Sequence, residues 1–268
     1  MKVFGFLLFG LIFTTLVGCN RFKADHPQAN LSDENKTTDL TAQSILVFKD
    51  SIDKNLSQFD KKQSLVFMLG DLSFYVEQYG DSLFVEHAYN GAESNSIKRY
   101  YFRNDSLILY QTGNELVNED GVVFKEERTY LRNHTVFRKD GRTATSAAAL
   151  KSLPYIDISL SENADPDKSY LDNVNSLKSV LNGVDKFDMV FESIRTYPDS
   201  RYITLRSKEP NSYTASILVK ERDNFIDSLL NYPILFKDKK LNFNWEVVDR
   251  EAVYVPVSSN TSASGLNK

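Results

Sequence analysis

The 268-residue sequence predicts an α+β fold, mainly antiparallel β. Between residues 64 and 142, short segments rich in β-branched and aromatic residues follow one another, each cut off by a turn-forming pair. Aromatics reach 12%, with 14 Tyr and 18 Phe against 11 Gly and 7 Pro, a balance that leans towards strands. Two further stretches space their apolar residues by three and four, which is the helical period.

The first such stretch is 40–60, where Ile45, Phe48, Ile52, Leu56 and Phe59 share one helical face and Thr41 or Asp39 can cap it. Its stripe packs against the sheet that follows. Strand segments are SLVFML from Ser64, then LSFYVEQY, SLFVEHAY, KRYYFR, SLILYQT, VVFKEERTYL and TVFRK. Turn pairs separate them at Gly70-Asp71, Gly80-Asp81, Asn90-Gly91, Asn104-Asp105, Asp120-Gly121, Asn133-His134 and Asp140-Gly141. A faint repeat runs through Tyr79-Gly80-Asp81-Ser82-Leu83-Phe84, Phe102-Arg103-Asn104-Asp105-Ser106-Leu107-Ile108 and Leu131-Arg132-Asn133-His134-Thr135-Val136-Phe137. It marks a tight turn before an inward-pointing strand, once per strand–turn–strand unit. Residues 40–145 therefore read as a first module, a helix plus an antiparallel meander.

Residues 146–168 change character, with two prolines and few aromatics, and read as a linker. Residues 169–183 carry Leu171, Val174, Leu177, Val180 and Leu181 at helical spacing, with Gly183 as the stop. Then come strands in FDMVFESIRTY, RYITLRS and YTASILVKE, a helix over 222–231, and strands in LNFNWEVV and AVYVPV. Three strands, a helix and two strands resemble a small OB-like barrel, which would make 169–257 a second module. Residues 258–268 read as a disordered tail.

The N-terminus speaks about location. Met1-Lys2 is a short positive start, and residues 3–17 are apolar apart from Gly5, Gly10, Thr14 and Thr15. That length suits a signal peptide and is short for a membrane span, which needs about 20 residues. The run ends in Leu16-Val17-Gly18-Cys19, which resembles the lipobox of bacterial lipoproteins. The resemblance implies that residues 1–18 are removed and that Cys19 carries diacylglycerol, with its new amine acylated as well, palmitate included. Cys19 is the sole cysteine, so no intramolecular disulfide can form. Residues 19–39 are polar and read as a flexible tether from a membrane anchor to the folded part. Asn20 is not acidic, which in a two-membrane bacterium favours the outer membrane over the inner.

The search for chemistry is short. The three histidines, His26, His87 and His134, show no paired ligand spacing, and no HExxH, CxxC, GxSxG or phosphate-binding glycine motif is present, so no metal, cofactor or catalytic residue is assigned. Glu115, Glu119, Asp120, Glu126 and Glu127 read as solvated carboxylates. A net charge of −4 gives no footprint for nucleic acid. Tyr75, Tyr79, Tyr100 and Tyr101 are candidate platform aromatics for a glycan or a protein, against the plainer reading of a sheet covered on both faces. Trp245 reads as barrel core. Ser51, Ser82, Ser106 and Ser228 sit in Asp-Ser-apolar triplets used for O-glycosylation in some bacteria. Two functions stand: a non-catalytic, lipid-anchored envelope protein that binds an envelope protein or glycan, and a hydrolase acting on glycan or cell-wall material.

Overall fold

The computed structural model describes residues 40–160 and 168–256. The expected signal peptide, Cys19, the tether and the tail lie outside the described residues. The fold class is as the sequence predicts, mostly antiparallel sheet with an N-terminal helix.

Helix α1 (Ala42–Lys54) starts with a reciprocal cap. Thr41 Oγ1 accepts from the Ser44 amide, and Ser44 Oγ accepts from the Thr41 amide. After a 3-10 turn at Leu56–Gln58 come β1 (Lys61–Gln63), β2 (Phe67–Leu69), β3 (Leu72–Tyr79), β4 (Leu83–Asn90), β5 (Ser94–Arg103), β6 (Ser106–Asn118), β7 (Gly121–Arg132) and β8 (Thr135–Ala144). Asn104, Asp105, Asn133 and His134 all have positive φ. Two consecutive left-handed residues match the twist of the strands they join, which is the physical content of the repeated turn strings.

Asp140-Gly141 corrects the sequence reading. It is not a turn but lies inside β8, with Asp140 opposite Arg128 and Gly141 opposite Glu127. A Cβ at Gly141 would stand 3.0 Å from the Glu126 carbonyl and 3.1 Å from Ile158 Cδ1, so the glycine lets the next strand approach.

The segment expected as a linker is also structured in part. Ser146 caps α2 (Ala147–Ser152) by accepting from the Ala149 amide, and the Ala-Ala-Ala-Leu run continues it. Strand β9 (Ile156–Ile158) then pairs with β8 at the sheet's edge. Prolines and scarce aromatics concealed both.

Helix α3 (Lys168–Asn182) ends at Gly183, whose φ is +57°. Strands β10 (Met189–Thr196), β11 (Arg201–Ser207) and β12 (Thr214–Leu218) follow, then α4 (Asn224–Asn231), α5 (Pro233–Phe236), β13 (Asn244–Val248) and β14 (Glu251–Val255). The expected order of three strands, helix and two strands is present. Strand β14 runs parallel to β12 and pairs with β13. Among the described residues β13 does not pair with β10. The backbone of 238–239 bonds the edge of β10 at Phe191 instead, and no closed barrel forms.

The sheet is continuous in the order β10-β11-β12-β2-β3-β4-β5-β6-β7-β8-β9. Its seam is β2, where Phe67 faces Ala215 of β12 on one side and Phe74 of β3 on the other. One apolar cluster covers the inner face and draws on both expected modules: Phe67, Phe74, Val76, Phe84 and Tyr100 with Phe187, Phe191, Ile203 and Ile217. Val174, Leu177 and Val180 of α3 and Ile226 and Leu229 of α4 close it. A second cluster sits where α1 lies on the outer face, and packs Ile45 and Ile52 on Leu83, Val85, Tyr101, Leu109 and Tyr130.

Candidate functional site

Alternation along the strands places two rows of side chains on the outer face beside α1. One row reads Glu77, Val85, Arg99, Gln111, Arg128, Asp140 from β3 to β8. The next reads Tyr75, His87, Ile97, Gly113, Glu126, Arg142. Most of these are polar, on a face that could have been packed like the inner one.

At the β3 end, Glu77 is tightly held. Its carboxylate accepts from Lys61 Nζ at 2.6 Å and from the Tyr79 hydroxyl at 3.1 Å, with His87 Nε2 at 3.3 Å. The His87 ring stacks on Tyr75 with centroids 4.4 Å apart and planes 8° from parallel. Burial pushes the Glu77 carboxyl up, but the His87 and Lys61 contacts outweigh it and hold it down at about 2. Burial and the neighbouring Glu77 charge push Tyr79 up to about 12.

At the β8 end, Asp140 is fully buried. It accepts from Arg128 Nε at 2.7 Å, from Arg128 Nη2 at 3.0 Å and from the Tyr130 hydroxyl at 3.0 Å. Tyr155 lies with its ring 3.3 Å from the Arg128 guanidinium carbon and 4.4 Å from that of Arg142. Glu126 accepts from the Tyr155 hydroxyl and from Arg142 Nε. Burial pushes the Glu126 carboxyl up, and those hydrogen bonds outweigh it and leave it lowered. Arg142 also donates to the Lys151 and Leu153 carbonyls, so part of this cluster ties down the end of α2.

Between these two knots lies a gap in the bonding. Arg99 is half-buried, and among the described residues no hydrogen bond or ion pair holds its guanidinium, although its charge acts through space on Glu126, Tyr79 and Tyr101. Its register neighbour Gln111 is buried with Oε1 unpartnered. Gly113, next on β6, has an ordinary φ, and the only heavy atom within 4 Å of a Cβ placed there is Glu126 Cγ, at 4.0 Å. The backbone does not require a glycine here, and its effect is a dent in the face of the sheet. A mid-strand glycine without a bulge or bend leaves room for close approach to the backbone. An unpaired cation, an unused acceptor and a dent together can take a ligand that brings an anionic group beside a hydrogen-bond donor.

The predicted aromatic platform is not assembled. Tyr100 and Tyr101 are consecutive, point to opposite faces and are fully buried, one in each apolar cluster. Tyr75 is buried against His87, and Tyr79 is spent on Glu77 and Lys61. The sheet is covered on both faces here, so these rings stabilise the fold. His134 is a turn residue with φ +61°. Of the serines, Ser51 is exposed on α1, Ser82 and Ser106 flank hairpin turns, and Ser228 donates to the Asn224 carbonyl inside α4. Trp245 is half-buried, donates to the Ser64 carbonyl and borders a small apolar recess of about 140 Å³ with Phe67, Val180 and Phe243. Sequence reasoning did not single out Arg99, Gln111 or Gly113. A usable signal was the glycine in the middle of SLILYQTGNELVN.

Among the described residues no three His, Cys, Asp or Glu side chains converge as a metal site would need. No protein-family model, no characterised protein and no solved structure matches the chain.

Proposed function

We propose that this protein is a lipid-anchored component of the bacterial cell envelope that binds a glycan or another envelope protein and carries out no catalysis of its own. Anchoring rests on the apolar run ending in Leu16-Val17-Gly18-Cys19. Acyl chains at Cys19 give membrane attachment well beyond that of one chain alone, at about 0.8 kcal/mol per buried CH₂. Asn20 favours the outer membrane in a two-membrane host. The observation that carries binding is the dent at Gly113 beside the unpaired Arg99 and the unused Gln111 oxygen.

The hydrolase reading has less support. A glycosidase acid needs a carboxyl pushed up so that it holds a proton near neutral pH. Glu77 and Glu126, the two carboxylates on this face with a displaced titration, both move down. Both are also committed to basic partners.

Two arms of one experiment test the proposal. Cells fed labelled palmitate should label the wild-type chain, whereas Cys19→Ser should remain unlabelled precursor. Detergent-solubilised wild type should then retain an envelope component that Arg99→Gln releases. Normal labelling of Cys19→Ser would end the anchor, and identical capture by wild type and Arg99→Gln would end this binding site.

A further inference from the structure

The helix α5 turn is out of keeping with the rest of the surface. Ile234 is 87% exposed, and Leu235 and Tyr232 are each 61% exposed, all three on consecutive or near-consecutive residues. Ile234 is the most exposed large apolar residue among those described. The turn is not loose chain. Pro233 stands at its first position, Phe236 turns inward against Phe191, and the 238–239 backbone is bonded to the edge of β10. A rigid mount therefore presents three apolar side chains outward, which forfeits burial that folding would otherwise gain.

The residues just after it are basic. Lys237, Lys239 and Lys240 follow within four positions, against Asp238 alone, in a chain of net charge −4. All three lysines are exposed; Lys237 donates to the Glu192 carbonyl and Lys240 shares Asp188 with Lys208, while Arg206 reaches the same region through Asp238. Apolar tips bordered by lysines fit an anionic lipid surface, where the tips enter the acyl boundary and the ammonium groups meet phosphates. They fit a second copy poorly, because pairing two such turns would bring two lysine clusters together.

We propose that the α5 turn is a membrane-contact element, seated on anionic phospholipid through Tyr232, Ile234 and Leu235 and steered by Lys237, Lys239 and Lys240. This rests on the proposed anchor, which keeps a bilayer beside the folded part. Membrane contact at a second point fixes the orientation of the sheet, so the outer face with Arg99 is held at a constant attitude to the membrane.

The full-length chain offers a direct probe, since its only native cysteine is the proposed lipid site. Ile234→Cys, with Ile156→Cys as a reference on the exposed edge strand β9, is purified from membranes, labelled with a nitroxide and reconstituted in phosphatidylethanolamine–phosphatidylglycerol vesicles. Collision with oxygen relative to a water-soluble nickel chelate should rise severalfold at 234 and stay at the aqueous value at 156. The rise should fall away in vesicles of phosphatidylcholine alone and in the Lys237→Gln/Lys239→Gln background. An aqueous value at 234 in anionic vesicles overturns the proposal. So does an immersion that ignores lipid charge, and so does spin–spin broadening that reports a second copy at this turn. Failure of the anchor is read separately: two labels per chain instead of one would show Cys19 free, whatever the depth at 234.

Discussion

The two faces of the sheet are made by the same strands and meet opposite fates. On the inner face, alternate residues from β2 through β6 and from β10 through β14 merge into a single apolar cluster sealed by α3 and α4. On the outer face, apolar packing is confined to the footprint of α1, and beyond it the rows turn polar at Glu77, Arg99, Gln111, Arg128 and Asp140. Apolar burial accounts for most of the first face, although the buried Thr112 hydroxyl on it has no hydrogen-bond partner among the described residues. On the second, the knots around Glu77 and Asp140 are hydrogen-bonded while the Arg99 guanidinium and Gln111 Oε1 between them are not, and that imbalance is what the proposed ligand site rests on.

The largest test of this contrast strikes the seam of the inner face. Phe67 is buried, and its ring lies 5.0 Å from Phe187 and 5.7 Å from Phe74, residues contributed by the two sequence segments. Phe67→Ala should cost about 3–5 kcal/mol. Because the cluster is common to both segments, guanidinium unfolding of the full chain should remain a single transition that moves as a whole to lower denaturant. Two separable transitions, only one of them shifted, would show that the segments fold independently and that the shared cluster is not cooperative.

Next in size is the satisfied knot on the outer face. Asp140→Ala removes the carboxylate that receives two bonds from Arg128 and one from Tyr130 at a fully buried position. Breaking such a pair from one side strands the other charge and should cost about 3–5 kcal/mol, read from the same denaturation curve. Arg128→Met in the Asp140→Ala background should recover part of that loss, since the stranded cation is then gone. No recovery would mean that Asp140 acts through backbone register rather than charge.

Much of this contrast could be read from the sequence, and the parts that could not have physical causes. Strand β3 matches its predicted segment end to end, because LSFYVEQY has strong β formers closed by glycine turns on both sides. Helices α1 and α3 fall on the stretches where apolar spacing put them, and α4 falls within the expected 222–231. The short strand β9 was hidden because it owes its existence to pairing with β8 rather than to its own pattern, and α2, though capped by Ser146 and carried by its alanines, is only six residues long. Asp140-Gly141 read as a turn because local chemistry favours one, and the partners that override it, Arg128 and Ile158, are distant in sequence. The aromatic platform failed for a related reason: alternation shows that Tyr100 and Tyr101 face opposite ways, but only the packing of α1 and α3 shows that both sides are covered. Arg99 escaped notice because an unpaired charge is defined by what is absent around it, which no single-strand pattern records.

Acid provides a graded test of the other knot. Glu77 is held at about 2 in the fold against an ordinary 4.5, so its ionised form is favoured by folding. That contribution is fully present above pH 4.5 and is lost as the pH falls through the interval down to about 2. Glu77→Gln should flatten this limb of the stability–pH curve, and Lys61→Met should flatten it in part, because His87 and Tyr79 remain. A Glu77→Gln curve with the wild-type slope between pH 4.5 and 2 would place the acid sensitivity elsewhere.

The smallest expected effect on stability is the most informative about function. Arg99 and Arg128 each stand one strand from Gln111, on either side of it, in the same row of the same face. Arg128 is locked to Asp140 and packed on Tyr155, so Arg128→Gln removes a buried ion pair and should cost about 3 kcal/mol or more. Arg99 holds no hydrogen bond or ion pair among the described residues, so Arg99→Gln has nothing comparable to break. Its stem can still pack beside Val85, and the change should stay within about 0.5 kcal/mol. Thermal and denaturant midpoints of the two variants, measured side by side on the full chain, therefore separate a structural arginine from an available one. If Arg99→Gln proves as costly as Arg128→Gln, its charge is already satisfied within the fold, and the binding site proposed at Gly113 loses its cation.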